Sequence, residues 1–135
     1  MDKHKLSKME IRSVYPDPTK KPKGHYAPGI VYNGMVYVSG QLPINSEGIP
    51  QTGSIEEETT LCMKNIETIL NASGSSLDRI LKVNVFIADI GNWPKFNETF
   101  AAIMGEHRPA RIVIPCNQLN YGCGIEIDCI AALKV

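Results

Sequence analysis

Ile30-Val31-Tyr32-Asn33-Gly34-Met35-Val36-Tyr37-Val38-Ser39 is the stretch that decides the fold. An Asn-Gly pair between two apolar, β-branched runs is the strongest short hairpin signal. The tight turn it makes needs positive φ at both central residues, which Asn and Gly tolerate. Two antiparallel strands, 30–33 and 35–39, are therefore expected, with Gly40-Gln41-Leu42-Pro43 ending the second. A lone hairpin is marginal in water, so the remaining chain must supply strand partners and a covering layer.

Upstream, residues 8–14 (KMEIRSV) read as a short edge strand, and residues 1–7 as a polar, frayed end. Between this strand and the hairpin lies YPDPTKKPKGHYAPG (15–29), with four prolines and two glycines. Proline has no N–H for a sheet ladder, so this segment is an ordered loop, and its length marks it as a candidate for function. Downstream, INSEGIPQTGS (44–54) is a turn-rich connection into a helix. Ser54 with Glu57 three residues on makes a capping box, and Glu56 to Glu58 suit the positive end of the helix dipole. Thr59, Cys62, Ile66, Ile69 and Leu70 recur at helical spacing as the buried face, and Gly74 ends the helix. Ile80 to Asp89 alternates as a strand, with Leu81, Val83, Val85 and Ile87 on one side and Lys82, Asn84, Phe86 and Ala88 on the other. Asn92 is expected to cap a second helix running to about Met104, with Trp93, Phe96, Asn97, Phe100 and Met104 on one stripe and Asn97 a buried amide. His107-Arg108-Pro109-Ala110 breaks the pattern. A strand over 111–115, a loop over 117–124 and a last strand over 125–134 follow.

The order β-β-β-α-β-α-β-β predicts an α+β fold in one domain, residues 1–135. A single mixed sheet carries both helices on one face. The other face, with Lys82, Asn84, Phe86, Glu126, Asp128 and Ile130, mixes polar and apolar groups and is expected to meet another subunit.

Composition excludes several functions. Fourteen basic and fourteen acidic residues cancel, so no strong field draws nucleic acid, and Lys20-Lys21-Pro22-Lys23 is the main basic cluster. The N-terminus has no secretory apolar run and no stretch is long enough to span a bilayer, which makes a cytoplasmic location and no membrane partner the default. Cys62, Cys116, Cys123 and Cys129 form no C-x-x-C pair and the histidines are scattered at 4, 25 and 107, so no metal site is indicated. The cysteines read as free thiols, and no Cys/His pairing suggests a nucleophile. No phosphate loop, H-E-x-x-H or G-x-S-x-G appears.

Three features carry potential chemistry. Arg111 opens a strand and shares its face with Val113 and Pro115. It is either paired with an internal carboxylate such as Glu126 or Asp128, or free to grip a ligand carboxylate bidentately. Glu126 alternates with Ile125 and Ile127. It is either a plain surface or interface carboxylate, or a proton carrier tuned by partial burial. Tyr26, in the loop Gly24-His25-Tyr26-Ala27-Pro28-Gly29, is either a ring that pins the loop or a phenol at a pocket wall. His25 and His107 read as solvated or structural.

Taken together, Gly24–Gly29, Val36-Tyr37-Val38-Ser39-Gly40-Gln41-Leu42-Pro43, Asn65–Leu70, Val83–Asp89, Pro109-Ala110-Arg111 and Ile125-Glu126-Ile127-Asp128-Cys129-Ile130-Ala131 resemble the RidA/YjgF family, in order and at its spacing, from about Ile11 to Leu133. The resemblance implies a chorismate-mutase-like fold and a homotrimer with clefts between subunits. It also implies cofactor-independent hydrolysis of reactive 2-imino or enamine acids, of the 2-iminobutanoate and 2-iminopropanoate type, to 2-oxo acids and ammonia. It assigns the substrate carboxylate to Arg111, water activation to Glu126 and a pocket wall to Tyr26, with Gly40 and Val113 contacting ligand through backbone groups. The chain departs from the family where Pro28 stands in place of a frequent glutamine, and where Ile112-Val113 follows the arginine in place of serine or threonine. These departures bear on substrate choice. The alternatives are a non-catalytic binder of small 2-oxo or amino acids, a deaminase for a larger substrate such as 2-aminomuconate, and a ribonuclease or translation inhibitor, against which the zero net charge argues.

Overall fold

In a computed structural model, which describes residues 8–135, the chain forms one six-stranded sheet and two long helices. The polar end expected over residues 1–7 lies outside the described residues. The strands are β1 (Arg12–Val14), β2 (Gly29–Tyr32), β3 (Met35–Gln41), β4 (Ile80–Ile87), β5 (Ala110–Pro115) and β6 (Ile125–Ala132), and the helices are α1 (Ile55–Ser73) and α2 (Trp93–Met104). The sheet order is β1-β2-β3-β6-β4-β5, antiparallel throughout except for the parallel pair β4–β5, which α2 connects.

The hairpin forms as expected, with Asn33 (φ 51°) and Gly34 (φ 80°) both left-handed at its tip. The first strand is shorter than the 8–14 expectation and begins at Arg12. In α1, Ser54 Oγ accepts from the Glu57 N–H at 3.1 Å, and Gly74 in the left-handed conformation closes the C-terminus onto the Leu70 and Asn71 carbonyls. Thr59, Cys62, Ile66, Ile69 and Leu70 are all buried, together with Met63 and Glu58. The α2 start differs from expectation. Asn92 makes no side-chain cap, and Asp89 instead accepts from the Gly91 N–H at 2.9 Å in a single 3₁₀ turn that leads into the helix. Pro94 in the first turn needs no N–H partner there, which suits it to that position.

One apolar layer lies between the sheet and the helices. Val36, Val38, Val83, Val85, Ile87, Ile125, Ile127 and Cys129 meet Cys62, Met63, Ile66, Leu70, Phe96 and Phe100. Each such large side chain contributes about 1.5–3 kcal/mol through its removal from water. Leu81 is a correction. The register shifts between Ile80 and Lys82, so Ile80 is buried and Leu81 turns outward at 48% exposure. The ring Nε2 of His107, 2.7 Å from the Ile80 carbonyl oxygen, donates to it beside this irregularity, a structural use of that histidine.

The opposite face has no helix on it. Tyr32, Tyr37 and Ile112 stand exposed there, with Asn84, Phe86, Glu126, Asp128 and Ile130 half-buried. Cys62, Cys123 and Cys129 are buried free thiols and Cys116 is half-buried. Among the described residues, no helix is long and apolar enough to cross a membrane.

Candidate functional site

The two charged candidates leave the sheet on opposite sides. Arg111 pairs in parallel register with Val83, whose side chain is fully in the core, so Arg111 points to the helix side. There its guanidinium carbon lies 5.8 Å from the Trp93 ring centre, 5.3 Å from Phe96 and 5.2 Å from Phe100. The stripe Trp93-Phe96-Phe100, read from sequence as a core face, is thus also a cradle of π-faces for a cation. Burial lowers the Arg111 pKa from its ordinary value, and among the described residues no carboxylate acts on it to raise it. Glu126 and Asp128, the internal partners considered from sequence, are both on the far side of the sheet. Asp128 Oδ1 there accepts from Asn84 Nδ2 at 2.8 Å. Val113, two residues along, packs against the core beside Val85.

A cavity of about 500 Å³ opens at this arginine, lined by Asn97, Met104, His107, Arg108, Pro109 and Arg111. Asn97 is half-buried at its rim, so the expectation of a fully buried amide is corrected.

Glu126 occupies the other face, beside Phe86 across the β4–β6 pair. Its pKa is raised, first by burial and then by the neighbouring Asp128 charge. Gly40 explains its own identity. A β-bulge between Val38 and Gln41 brings the residue-40 backbone under the carboxylate, and a Cβ there would sit 2.8 Å from Glu126 Oε2. The same bulge holds the early loop: Ser39 Oγ donates to the Ala27 carbonyl at 2.6 Å, and the Ser39 N–H to the Pro28 carbonyl at 2.9 Å. Pro28 lacks a donor, but its acceptor is what the strand uses. Tyr26, 53% exposed, projects from this stitched loop. It shares with Gly40, Gln41, Pro28 and Ile69 a groove of about 350 Å³. Gly40 thus lines the groove with Tyr26 and lies under the Glu126 carboxylate, whereas Arg111 and Val113 lie on the edge strand β5.

The three buried cysteines do not offer a nucleophile. Burial, then the Glu58 charge, pushes the Cys62 thiol far up, and burial with the Asp128 charge pushes Cys129 up to about 12. Cys123 is raised by burial and by Glu58 and Glu126. A thiolate needs the opposite environment.

Glu58 is the residue that sequence reasoning missed. Glu56 to Glu58 were assigned together to the helix dipole, yet position 58 lies four residues before Cys62 and eight before Ile66, on the buried face. The residue is 5% exposed and its Oε1 accepts from the Gly124 N–H at 2.7 Å.

Comparison with known proteins agrees with this architecture. The model of the family described as "Endoribonuclease L-PSP" matches residues 18–133. The mitochondrial protein MMF1 of Saccharomyces cerevisiae is 39% identical over 109 residues, covering 81% of this chain and 75% of its own. The crystal structure of yeast Mmf1 superposes with a TM-score of 0.85 at 35% identity, covering 93% of this chain and all of that one (100%). E. coli TdcF with bound serine gives 0.81 at 26% identity, over 91% and 99% of the two chains. The E. coli YjgF gene product gives 0.79 at 28%, over 84% and 91%. The chain belongs to the endoribonuclease L-PSP family, the family of YjgF and RidA.

Proposed function

We propose that this protein hydrolyses small 2-imino acids to 2-oxo acids and ammonia, at sites that a second copy of the chain completes. The observation that carries the reading is Arg111, a guanidinium over three aromatic rings at a cavity mouth with no carboxylate partner among the described residues. Such a group is pre-organised for a ligand carboxylate, which it grips in two parallel hydrogen bonds. The serine bound to TdcF supports a ligand of that size, since serine also carries a carboxylate beside a C–N carbon.

A 2-imino acid presents a carboxylate next to an electrophilic C=N carbon. Fixing the carboxylate fixes that carbon, so attack by water becomes effectively intramolecular. A carboxylate with a raised pKa then takes a proton from the water and helps return one to the departing nitrogen. Glu126 has this character, with Gly40 beneath it and Tyr26 in the groove that Gly40 also lines. The sheet separates Glu126 from Arg111 within one chain, so a partner copy must bring its Glu126, with Gly40, to the β5 edge. The exposed Tyr32, Tyr37 and Ile112 on the uncovered face give that partner apolar surface to bury. A homotrimer closes such head-to-tail contacts with three equivalent sites.

Freshly generated 2-iminobutanoate, with ammonia release followed against the spontaneous rate, tests the proposal directly. No acceleration, together with tight binding of 2-oxobutyrate, would establish the second reading, a non-catalytic binder, which the serine in TdcF also fits.

Two smaller effects follow. Trp93→Ala removes one of the three rings under Arg111, and each such contact is worth about 0.5–1 kcal/mol at a partly exposed site, so kcat/KM should fall about two- to fivefold. An unchanged value would mean that Phe96 and Phe100 suffice. Gly40→Ala places a methyl where the Glu126 carboxylate lies and should lower kcat about 10- to 100-fold by displacing it, since misplacing a catalytic group by about 1 Å costs up to about 100-fold. A crystal structure of this variant with Glu126 unmoved would refute that account.

A further inference from the structure

The loop before β6 carries Tyr121 and Gly122, both at positive φ (63° and 71°), and has no strand partner to hold it. It nevertheless delivers Glu126 to a defined place. What holds its end is a clamp on the Gly124 peptide. On one side the Gly124 N–H donates to Glu58 Oε1 at 2.7 Å; on the other the Gly124 carbonyl accepts from the Ala88 N–H at 3.0 Å. Cys62, one turn along α1 from Glu58, has its sulfur 4.0 Å from the Ile125 carbonyl, so the same helix face touches the next residue too.

The chemistry of Glu58 is unusual for its position. It lies among Ile55, Cys62, Met63 and Ile66 on a helix face whose other buried residues are apolar or, at Thr59 and Ser73, hydroxyl-bearing, and none of those is charged. Burying a carboxylate is costly unless it is hydrogen-bonded, and an apolar side chain would fill the space without that cost. The cost is offset only by something an apolar residue cannot provide, namely an acceptor aimed at the Gly124 N–H. That peptide lies two residues before Glu126.

We propose that Glu58 is a positioning residue. From α1 it fixes the Gly124 peptide, and through it the place at which Glu126 leaves β6. The inference rests on the reading of Glu126 as the proton carrier. Glu58 touches no substrate and acts only through this backbone bond.

Glu58→Gln keeps the length and the acceptor oxygen, so kcat should stay within about twofold of wild type. Glu58→Asp keeps the charge but withdraws the oxygens by about one C–C bond, 1.5 Å, and so breaks the bond. Its kcat should fall about tenfold with KM unchanged within about twofold, the signature of a misplaced group rather than lost binding. The acid limb of its kcat–pH profile should shift, because Glu126 sits in altered surroundings. Hydrogen exchange at the Gly124 amide should quicken in the aspartate variant and not in the glutamine variant. Wild-type kcat and pH profile in Glu58→Asp would overturn the proposal, as would Glu58→Gln failing as badly as Glu58→Asp. Glu126→Gln serves as control. If it matches an active wild type, or if wild type is inactive, the functional reading falls and this inference with it. If it is impaired while Glu58→Asp is not, only the positioning role of Glu58 falls.

Discussion

Replacing Arg111 with alanine should lower kcat/KM for 2-iminobutanoate by about 100-fold or more while leaving fold and assembly intact. Charge-assisted hydrogen bonds contribute about 1.5–3 kcal/mol each, and a bidentate grip supplies two that differ little in strength. The folded state does not need the guanidinium: among the described residues no carboxylate acts on it, and Phe96 and Phe100 are packed in the core in their own right. Lysine at this position should recover little, because an ammonium cannot make the planar two-point contact. Mixing gives a sharper form of the test. Arg111→Ala and Glu126→Gln subunits, each inactive alone, should regain about a quarter of wild-type activity after random one-to-one reassembly, since half the sites draw an intact arginine and half of those an intact glutamate. No recovery at all, with mixed oligomers demonstrated, would place both groups in one chain's site and refute the shared-site reading.

Glu126→Gln should lower kcat about 100-fold or more with a small change in KM, the usual scale of a lost general base. It should also make the protein more stable at neutral pH. Burial and the Asp128 charge raise the folded-state pKa of Glu126 above its unfolded value. A group shifted in this direction contributes stability below its unfolded pKa, and that contribution is lost as pH rises through the folded pKa. At pH 7 the ionised carboxylate therefore weakens the fold, and glutamine relieves it. The Tm gap between variant and wild type should be open at pH 7 and close near pH 4. A variant less stable than wild type at pH 7 would contradict this assignment. The wild-type kcat should fall on the acid side with an inflection above the ordinary carboxylate value.

The element order, the hairpin tip at Asn33-Gly34 and the α1 stripe were legible because local rules and tertiary packing agree there. Leu81 was misread because a bulge shifts the alternation by one residue, and bulges leave no mark in an apolar run. Asn92 was misread because a 3₁₀ turn moves the capping role back to Asp89. Arg111 and Glu126 were legible as residue types. Their placement on opposite faces was not, because it depends on the β4 register to β5 and to β6. Glu58 escaped because its charge suggested a helix-dipole role, whereas its spacing from Cys62 and Ile66 already placed it inward.

The sheet that stands between Arg111 and Glu126 has a kinetic consequence under the proposed reading. A lone chain holds every necessary atom and yet no working site, so specific activity must decline as the protein is diluted past the point where copies separate. Ligand that bridges two copies would delay that decline, tying the supply of substrate to the survival of the catalyst.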